Sequence, residues 1–195
     1  QKATQALLDE GGDALADAFY QDLDFGTGGL RGIMGVGTNR INKYTLGAAT
    51  QGLANYLNQQ FPNQEVKVAI AHDSRHNSKP FARQVAEVLS ANNIKVYLYE
   101  DLRPTPALSF AIRHLNCQSG IVLTASHNPP AYNGYKVYWS DGGQLVPPHD
   151  KAVIKEVRAV SADAINYDAK PELIEMIGDE IDQAYLAEVK KLSLS

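Results

Sequence analysis

Cysteine is nearly absent from this sequence. Cys117 is the one cysteine among 195 residues, so no disulfide can form within the chain. Because disulfides belong to oxidising compartments, we expect a reduced, cytoplasmic protein in which Cys117 is a small buried hydrophobic residue. Long apolar runs are also missing: no stretch approaches the roughly 20 residues that a membrane helix requires, and no signal peptide is visible. We therefore expect no membrane partner.

An excess of basic residues is missing as well. Lys and Arg number 18 against 22 Asp and Glu, which gives a formal charge of −4. Nucleic-acid-binding proteins usually carry a clustered basic face, so we expect no nucleic-acid partner. A negative chain also opposes the approach of an anionic substrate, and local positive groups must hold any such ligand.

The remaining composition is that of an ordinary globular protein. Hydrophobic residues make up 44% of the chain and charged residues 21%, which is enough to build a core without disulfides or metals. The length suits one full domain, or one domain with an appendage. Because the chain begins at Gln1 rather than Met and ends at Ser195 without an obvious signal, we expect it to be part of a longer polypeptide.

Strand and helix patterns alternate along most of the chain. Short apolar runs predict strands at 66–71, 94–99, 120–124 and 135–139. Apolar residues at helical spacing predict helices at 2–23 (interrupted by two glycines), 44–60, 78–91, 104–115, 150–160 and 179–192. The alternation indicates an α/β fold, a three-layer sandwich with a mixed, mainly parallel sheet flanked by helices. The last strand follows its predecessor too closely for a helical crossover, so we expect it to run antiparallel.

The segment from Thr124 to Pro130 carries the most chemistry. A serine directly after a buried parallel strand lies at the edge of the sheet where α/β proteins bind ligands. Pro129 and Pro130 forbid helix and keep the loop short. His127 can assist proton transfer at the Ser126 hydroxyl, and the Asn128 amide can fold back on the loop backbone. Taken alone, Ser-His-Asn would be better interpreted as a turn with solvated side chains.

Four motifs in this order resemble the α-D-phosphohexomutases, the family of phosphoglucomutases and phosphomannomutases. They are Phe-Gly-Thr-Gly-Gly-Leu-Arg-Gly at 25–32, Asp-Ser-Arg at 73–75, Pro-Thr-Pro at 104–106, and Thr-Ala-Ser-His-Asn-Pro with Tyr-Asn-Gly-Tyr-Lys-Val-Tyr between 124 and 138. The first motif, extended to residue 35, and Tyr138-Trp139 are most similar to the phosphoglucomutase and phosphopentomutase-like branch. The resemblance implies that residues 25–195 are domain I of such an enzyme and that 1–24 form a helical segment before it.

The resemblance implies phosphoryl transfer between the C1 and C6 oxygens of a hexose phosphate through a bisphosphorylated intermediate. Ser126 is then the phosphoserine, and its phosphoryl oxygen is a ligand of Mg²⁺. The remaining metal ligands are expected from C-terminal domains of the same polypeptide, since the Asp-x-Asp-x-Arg/Asp loop of the family does not occur here; Asp22-Leu23-Asp24 is interpreted as a solvated helix end. A glucose 1,6-bisphosphate-type activator is also implied, and the chain alone is expected to be inactive.

The family pattern assigns further roles around Ser126. The implied catalytic residues are Ser126, His127, Lys136 and Arg31, and the implied phosphate- or substrate-binding residues are Thr27, Arg31, Lys136 and Asn128. The planar guanidinium of Arg31 suits a phosphate. Lys136 is alternatively the solvent-facing residue of an alternating strand. Whether His127 is a general base or an electrostatic helper stays open.

Other residues and functions also stay open. Arg75, His76 and Ser78 form either a secondary polar cluster near the site or the cap and surface contacts of the helix at 78, with Asn77 or Ser78 as its cap. Arg103 has the same two interpretations, Thr105 is interpreted as a structural turn residue, and Asp179 as the cap of the last helix. Besides a mutase, a non-catalytic sugar-phosphate-binding homologue, a phosphopentomutase and a glucose 1,6-bisphosphate synthase remain possible functions.

Overall fold

A six-stranded sheet with helices on both faces forms the centre of the molecule. A computed structural model describes residues 2–26 and 28–192. The strands are β1 (Gly29–Ile33), β2 (Lys67–His72), β3 (Lys95–Tyr99), β4 (Ser119–Leu123), β5 (Tyr132–Trp139) and β6 (Ile174–Ile177). The helices are α1 (Lys2–Glu10), α2 (Gly12–Phe19), α3 (Lys43–Gln60), α4 (Ser78–Ala91), α5 (Thr105–His114), α6 (His149–Ala159) and α7 (Asp179–Lys190). Single turns of 3₁₀ helix occur at Ala162–Ala164 and Pro171–Leu173.

The strand order is β1-β5-β4-β2-β3-β6. β2 pairs in parallel with β3 and β4, and β6 pairs in parallel with β3. β5 is antiparallel to both of its neighbours, β4 and β1. The predicted mixed, mainly parallel sheet is therefore confirmed, including the direction of β5, because the eight residues between β4 and β5 leave room for a turn but not for a crossover helix.

Alternating strand residues divide the core into two halves. Val68 and Ile70 of β2 pack on one face of the sheet with buried residues of α3, α4 and α6. Ala69 and Ala71 of the same strand face α5 and α7 on the other side. Cys117 lies in this second half, where burial raises the pKa of its thiol to about 12, so the prediction of a small buried residue is confirmed. The three predicted layers follow from this alternation.

Two edge strands are missing from the sequence prediction. The glycine-rich motif at 25–32 is not among the predicted strands, but Gly29–Ile33 form β1. The paired strand β5 supplies backbone partners that compensate for the low strand propensity of glycine. β6 has four residues, and its two central residues, Glu175 and Met176, are exposed. It therefore lacks the buried apolar run by which the other strands are recognised.

The ends of several helices differ from the prediction. The N-terminal helical segment divides at Gly11 as expected, but it ends at Phe19, so Asp22 and Asp24 lie in extended chain rather than at a helix end. Asn77 occupies the position before α4 in a left-handed conformation without a side-chain cap. Asp179 is the first residue of α7, not its cap. None of the helices in 2–26 and 28–192 is long and apolar enough to cross a membrane.

Candidate functional site at the Ser126 turn

Ser126 lies in a tight turn at the carboxyl end of β4. Every residue from Ser119 to Ala125 is buried, and Ser126 is the first exposed one. It adopts a left-handed conformation with φ 57°, which is uncommon for a residue other than glycine and requires support from its surroundings. The backbone N–H of Ser126 donates to Thr124 Oγ1 at 3.0 Å, and that of Asn128 donates to the Ala125 carbonyl at 3.1 Å. The turn therefore presents the serine hydroxyl to solvent from a buried base.

His127 is the immediate partner of that hydroxyl. Ser126 Oγ lies 3.3 Å from His127 Nδ1, which is a long hydrogen bond between two exposed side chains. A proton can pass between the two atoms with a small rotation of either side chain. The expected proximity of His127 to the Ser126 hydroxyl is therefore present.

Arg31 and Lys136 belong to β1 and β5, the two strands that lie on one side of β4. Arg31 pairs with Gly134 across β1 and β5, so that Lys136, two residues further along β5, lies on the same face as Arg31. Arg31 is exposed, and its NH1 donates to Asn128 Oδ1 at 3.2 Å, which joins β1 to the Ser126 loop. Lys136 is half-buried. Among the described residues, no hydrogen bond joins Lys136 to the Ser126 loop.

Gly29 lies opposite Lys136 on β1. Its φ of 143° and its distance to β5 exclude a side chain, since a Cβ there would lie 1.8 Å from the Tyr135 carbonyl oxygen. The glycine therefore allows Gly28, whose carbonyl accepts from the Val137 N–H at 2.8 Å, to approach the strand that carries Lys136. Thr27, which directly precedes Gly28 and is one of the predicted phosphate-binding residues, lies outside the described residues.

Arg75 holds the Ser126 loop by its backbone. Its NH2 donates to the carbonyl oxygens of Ser126 at 2.8 Å and Asn128 at 2.6 Å, and its NH1 donates to those of Pro129 at 3.0 Å and Tyr132 at 3.2 Å. Sequence analysis left Arg75 open between a polar cluster and surface contacts. The Asp-Ser-Arg motif after β2 was the available signal, but the acceptors of this arginine are main-chain atoms, which a sequence pattern does not reveal.

A buried polar network continues from Arg75 beneath the loop. Asp73 Oδ1 accepts hydrogen bonds from the Arg75 backbone at 3.0 Å and from the Ser78 hydroxyl at 2.8 Å. Asn133, which is fully buried, donates to Ser78 Oγ and to the His76 carbonyl, both at 3.0 Å. The hydroxyl of Ser78 thus connects two loops instead of capping α4, and this corrects the interpretation of Ser78 as a cap.

The loops enclose an open groove of about 340 Å³ over the turn. It is lined by Asp73, Ser74, Arg75, His76, Ser126, Asn128 and Pro130. The described residues contain no group of three or more His, Cys, Asp or Glu side chains that could hold a metal ion. Asp73, the carboxylate of the groove, already accepts two hydrogen bonds and lies 3.5 Å from the Arg75 Nε.

Arg103 serves a different part of the molecule. Its Nε and NH2 donate to both carboxylate oxygens of Asp182 in α7, at distances between 2.6 and 2.9 Å. Its guanidinium also lies over the Tyr99 ring, and burial together with the Asp182 charge raises the pKa of that phenol to about 12. Arg103 therefore connects α7 to the loop before α5. Thr105 is the first residue of α5 and not a turn residue, which corrects its interpretation from the sequence.

Comparisons with known proteins identify the same part of the chain. Residues 22–164 match the family described as phosphoglucomutase/phosphomannomutase, α/β/α domain I. A phosphoglucomutase of Staphylococcus aureus is 50% identical over 129 residues, which cover 66% of this chain and 23% of the relative. The human phosphopentomutase is 40% identical over 164 residues, which cover 80% of this chain and 27% of the relative.

Solved structures agree on the fold. The open form of parafusin, a phosphoglucomutase from Paramecium, superposes with a TM-score of 0.70 at 21% identity and covers 90% of this chain and 36% of that one. At this identity the likeness concerns the fold alone. The chain spans about a quarter of the length of the two relatives above, so it corresponds to one part of those proteins.

Proposed function

The chain belongs to the phosphoglucomutase/phosphomannomutase family, as its α/β/α domain I, and from that premise we propose that it is the phosphate-carrying domain of a sugar phosphomutase. The domain extends over residues 25–195 in this proposal, with 1–24 as a helical segment ahead of it, and the enzyme works in the cytoplasm. The observation that carries the proposal is the Ser126 turn. The Ser126 hydroxyl is exposed, whereas the strand residues before it are buried. The His127 imidazole lies 3.3 Å from this hydroxyl, and the Arg31 guanidinium is hydrogen-bonded to Asn128 in the same loop. This arrangement suits a phosphoryl carrier.

In the proposed reaction, Ser126 carries the phosphoryl group between turnovers. It donates the group to a hexose monophosphate, the resulting bisphosphate reorients, and Ser126 takes a phosphoryl group back from the other end of the sugar. Division into two transfers by a covalent carrier leaves positioning and charge neutralisation as the main tasks of the protein. C1 and C6 of the hexose exchange the phosphoryl group overall.

Each neighbouring residue has one task in this scheme. His127 exchanges a proton with the Ser126 hydroxyl when the phosphoryl group leaves or arrives, since its Nδ1 lies next to that oxygen. Arg31 and Lys136, on one face of β1 and β5, neutralise the negative phosphoryl oxygens. Asn128 orients Arg31 through its side-chain oxygen. Thr27 contacts the phosphate from the glycine loop.

This domain would supply only some of the ligands of the proposed metal ion. Mg²⁺ bound at a phosphoserine neutralises charge on the phosphoryl oxygens. Ser126, once phosphorylated, offers one such oxygen, but the described residues hold no carboxylate cluster that could complete the site. We assign the remaining ligands to C-terminal domains of the full-length protein, and with them the contacts to the sugar and to a glucose 1,6-bisphosphate-type activator. The 195-residue chain alone is therefore expected to have no mutase turnover.

A pentose phosphate is the second candidate substrate. The human relative named phosphopentomutase is 40% identical over 80% of this chain, so relatives with that name match it about as well as those named phosphoglucomutase. The residues around Ser126 address the phosphoryl group and not the sugar, so the same domain serves either reaction. Parallel assays of the full-length protein with glucose 1-phosphate and ribose 1-phosphate separate the two, because the preferred substrate has the higher kcat/KM.

Phosphopeptide mapping tests the proposal. Full-length protein is incubated with glucose 1,6-bisphosphate and digested, and the phosphorylated residue is located by mass spectrometry. We expect phosphate on Ser126, and we expect Ser126→Ala to lose both the phosphate and mutase turnover. Ser161→Ala, at an exposed serine far along the chain, is the control and keeps both. Phosphate on a different residue, or turnover by Ser126→Ala, would contradict the scheme.

A further inference from the structure

We propose that Arg75 is the positioning residue that sets the geometry of phosphoryl transfer at Ser126, without touching the transferred group. The inference rests on the proposed function and adds to it a residue on a different strand–helix connection, between β2 and α4. Its basis is that one guanidinium group donates hydrogen bonds to four carbonyl oxygens of the segment 126–132.

The contacts of Arg75 use its donors almost completely. A guanidinium has five N–H groups, of which each terminal nitrogen carries two. NH1 and NH2 each donate to two carbonyl oxygens of the segment 126–132, and Nε faces Asp73 Oδ2 at 3.5 Å. The four terminal N–H groups are thus occupied, and the remaining Nε–H faces a carboxylate and not the groove's solvent. Arg75 therefore differs from Arg31, whose hydrogen bond among the described residues runs from NH1 to the Asn128 side chain.

The captured carbonyls are those that determine where the serine hydroxyl points. One belongs to Ser126 itself, whose left-handed conformation is unfavourable for a residue with a side chain. The Asn128 carbonyl follows two residues later and shares the same nitrogen, NH2. With both carbonyls on one nitrogen, the turn cannot relax to an extended conformation without breaking charge-assisted hydrogen bonds. Arg75 thereby holds Ser126 Oγ at one orientation over the groove.

The Arg75 side chain is itself fixed by Asp73 and the residues hydrogen-bonded to it. The arginine side chain is 14% exposed, and Asp73 is tied to Ser78, whose hydroxyl accepts from the buried Asn133 at the start of β5. Both ends of the loop are thus hydrogen-bonded to the same polar network. Arg75 binds the start of the loop, and Asn133 follows its end. A mobile surface arginine would not transmit a fixed position, but this one is anchored to the sheet.

Lysine cannot replace this arrangement. An ammonium group keeps the charge, but it presents three donors from one nitrogen, and these cannot reach four carbonyl oxygens distributed over two guanidinium nitrogens. We expect Arg75→Lys in the full-length protein to lower kcat about 10- to 100-fold, in keeping with the cost of misplacing a reacting group by about 1 Å. KM should stay within about twofold, because the groups that bind substrate are untouched. Arg83→Lys, on the exposed face of α4, is the matched control and keeps wild-type kinetics.

Rescue by a small guanidinium separates positioning from general stability. Ethylguanidinium added to Arg75→Ala should restore part of kcat and should shorten the lifetime of the dephospho form in single-turnover phosphorylation by glucose 1,6-bisphosphate. It should not affect Arg75→Lys, where the ammonium occupies the space. If Arg75→Ala does not fold, Asp73→Asn supplies the test, since it keeps the arginine but weakens its alignment and should lower kcat with KM unchanged.

The outcomes distinguish this inference from the proposed function. Wild-type phosphorylation at Ser126 with unchanged kcat in Arg75→Lys overturns the positioning role and leaves the function standing. A rise in KM with constant kcat also overturns it, because Arg75 would then bind substrate. Absence of phosphate on wild-type Ser126 contradicts the proposed function itself.

Discussion

Gly134 is the position at which a single methyl group should do the most damage to the sheet around Ser126. It lies in β5 between β1 and β4, opposite Arg31. A Cβ at this position would lie 2.6 Å from the Thr124 carbonyl oxygen and 2.9 Å from that of Leu30. Both oxygens are backbone atoms of neighbouring chain, so no side chain can rotate away. We predict that Gly134→Ala destabilises the protein strongly.

The magnitude follows from two opposing terms. Relief of the contacts requires the Thr124 oxygen to retreat from 2.6 Å to the 3.4 Å of an ordinary contact, which separates β5 from β4. Overpacking of this kind costs about 1–3 kcal/mol, and the involvement of two backbone atoms places Gly134→Ala at the upper end. Replacement of glycine reduces the entropy of the unfolded chain and returns about 0.4–1 kcal/mol. The net loss is about 2 kcal/mol, equivalent to a fall in Tm of roughly 4–8 °C for a chain of this size.

Gly26→Ala provides the matched control. The substitution is chemically identical and lies near the same strands, but a Cβ there meets only the Gly29 carbonyl oxygen, at 4.0 Å. Urea unfolding followed by circular dichroism should give a free energy of unfolding about 2 kcal/mol below wild type for Gly134→Ala and within about 0.5 kcal/mol for Gly26→Ala. Equal free energies for the two variants would refute the reasoning, because the close approach of backbone would then carry no cost.

Three further predictions concern buried side chains. Cys117 has a pKa raised by burial from 9.0 to about 12, so its unfolded form loses a proton first as pH rises. Stability should therefore fall above pH 9, and urea titrations of Cys117→Ala should show about 1.4 kcal/mol less loss than wild type between pH 8 and 10. Tyr135→Phe should be neutral or slightly stabilising in the same assay, since the buried Tyr135 hydroxyl makes no hydrogen bond of ordinary geometry with the described residues. Tyr56→Phe should cost about 1 kcal/mol, because it loses the 2.7 Å hydrogen bond between the Tyr56 hydroxyl and His149.

Much of the fold is predictable because its central strands are buried on both sides. β2 and β4 form continuous apolar runs in the sequence, and the intervening helices have apolar residues at helical spacing. Four strands and their approximate bounds therefore follow from the order of apolar residues alone. β1 and β6 are not recognised for the opposite reason. They are edge strands, one rich in glycine and one with exposed residues, and their backbone pairing depends on neighbours distant in sequence.

The candidate site also contains residues whose proximity the sequence predicts and residues whose contacts it does not predict. Ser126, His127 and Asn128 are consecutive, and their proximity is implied by the sequence itself. The hydrogen bond from Arg31 to Asn128 joins residues 97 positions apart, and only the family resemblance places them together. Arg75 is recognisable as a polar residue after a strand, but its acceptors are backbone carbonyls and carry no side-chain signature. Residues that act on the main chain are thus the ones that sequence analysis assigns least well.

The strand order explains why stability and chemistry should be coupled at this site. Arg31, Lys136 and Ser126 belong to β1, β5 and the end of β4, which are adjacent in the sheet, and Arg75 follows β2, the next strand in the same order. Each proposed functional group therefore lies on one of these paired strands or within three residues of its end. A change that moves β5 away from β4 must then shift Lys136 relative to Ser126 and slacken the loop that Arg75 holds. Gly134→Ala makes such a change, so in the full-length protein it should lower kcat as well as Tm, whereas the exposed replacement Arg83→Lys should lower neither.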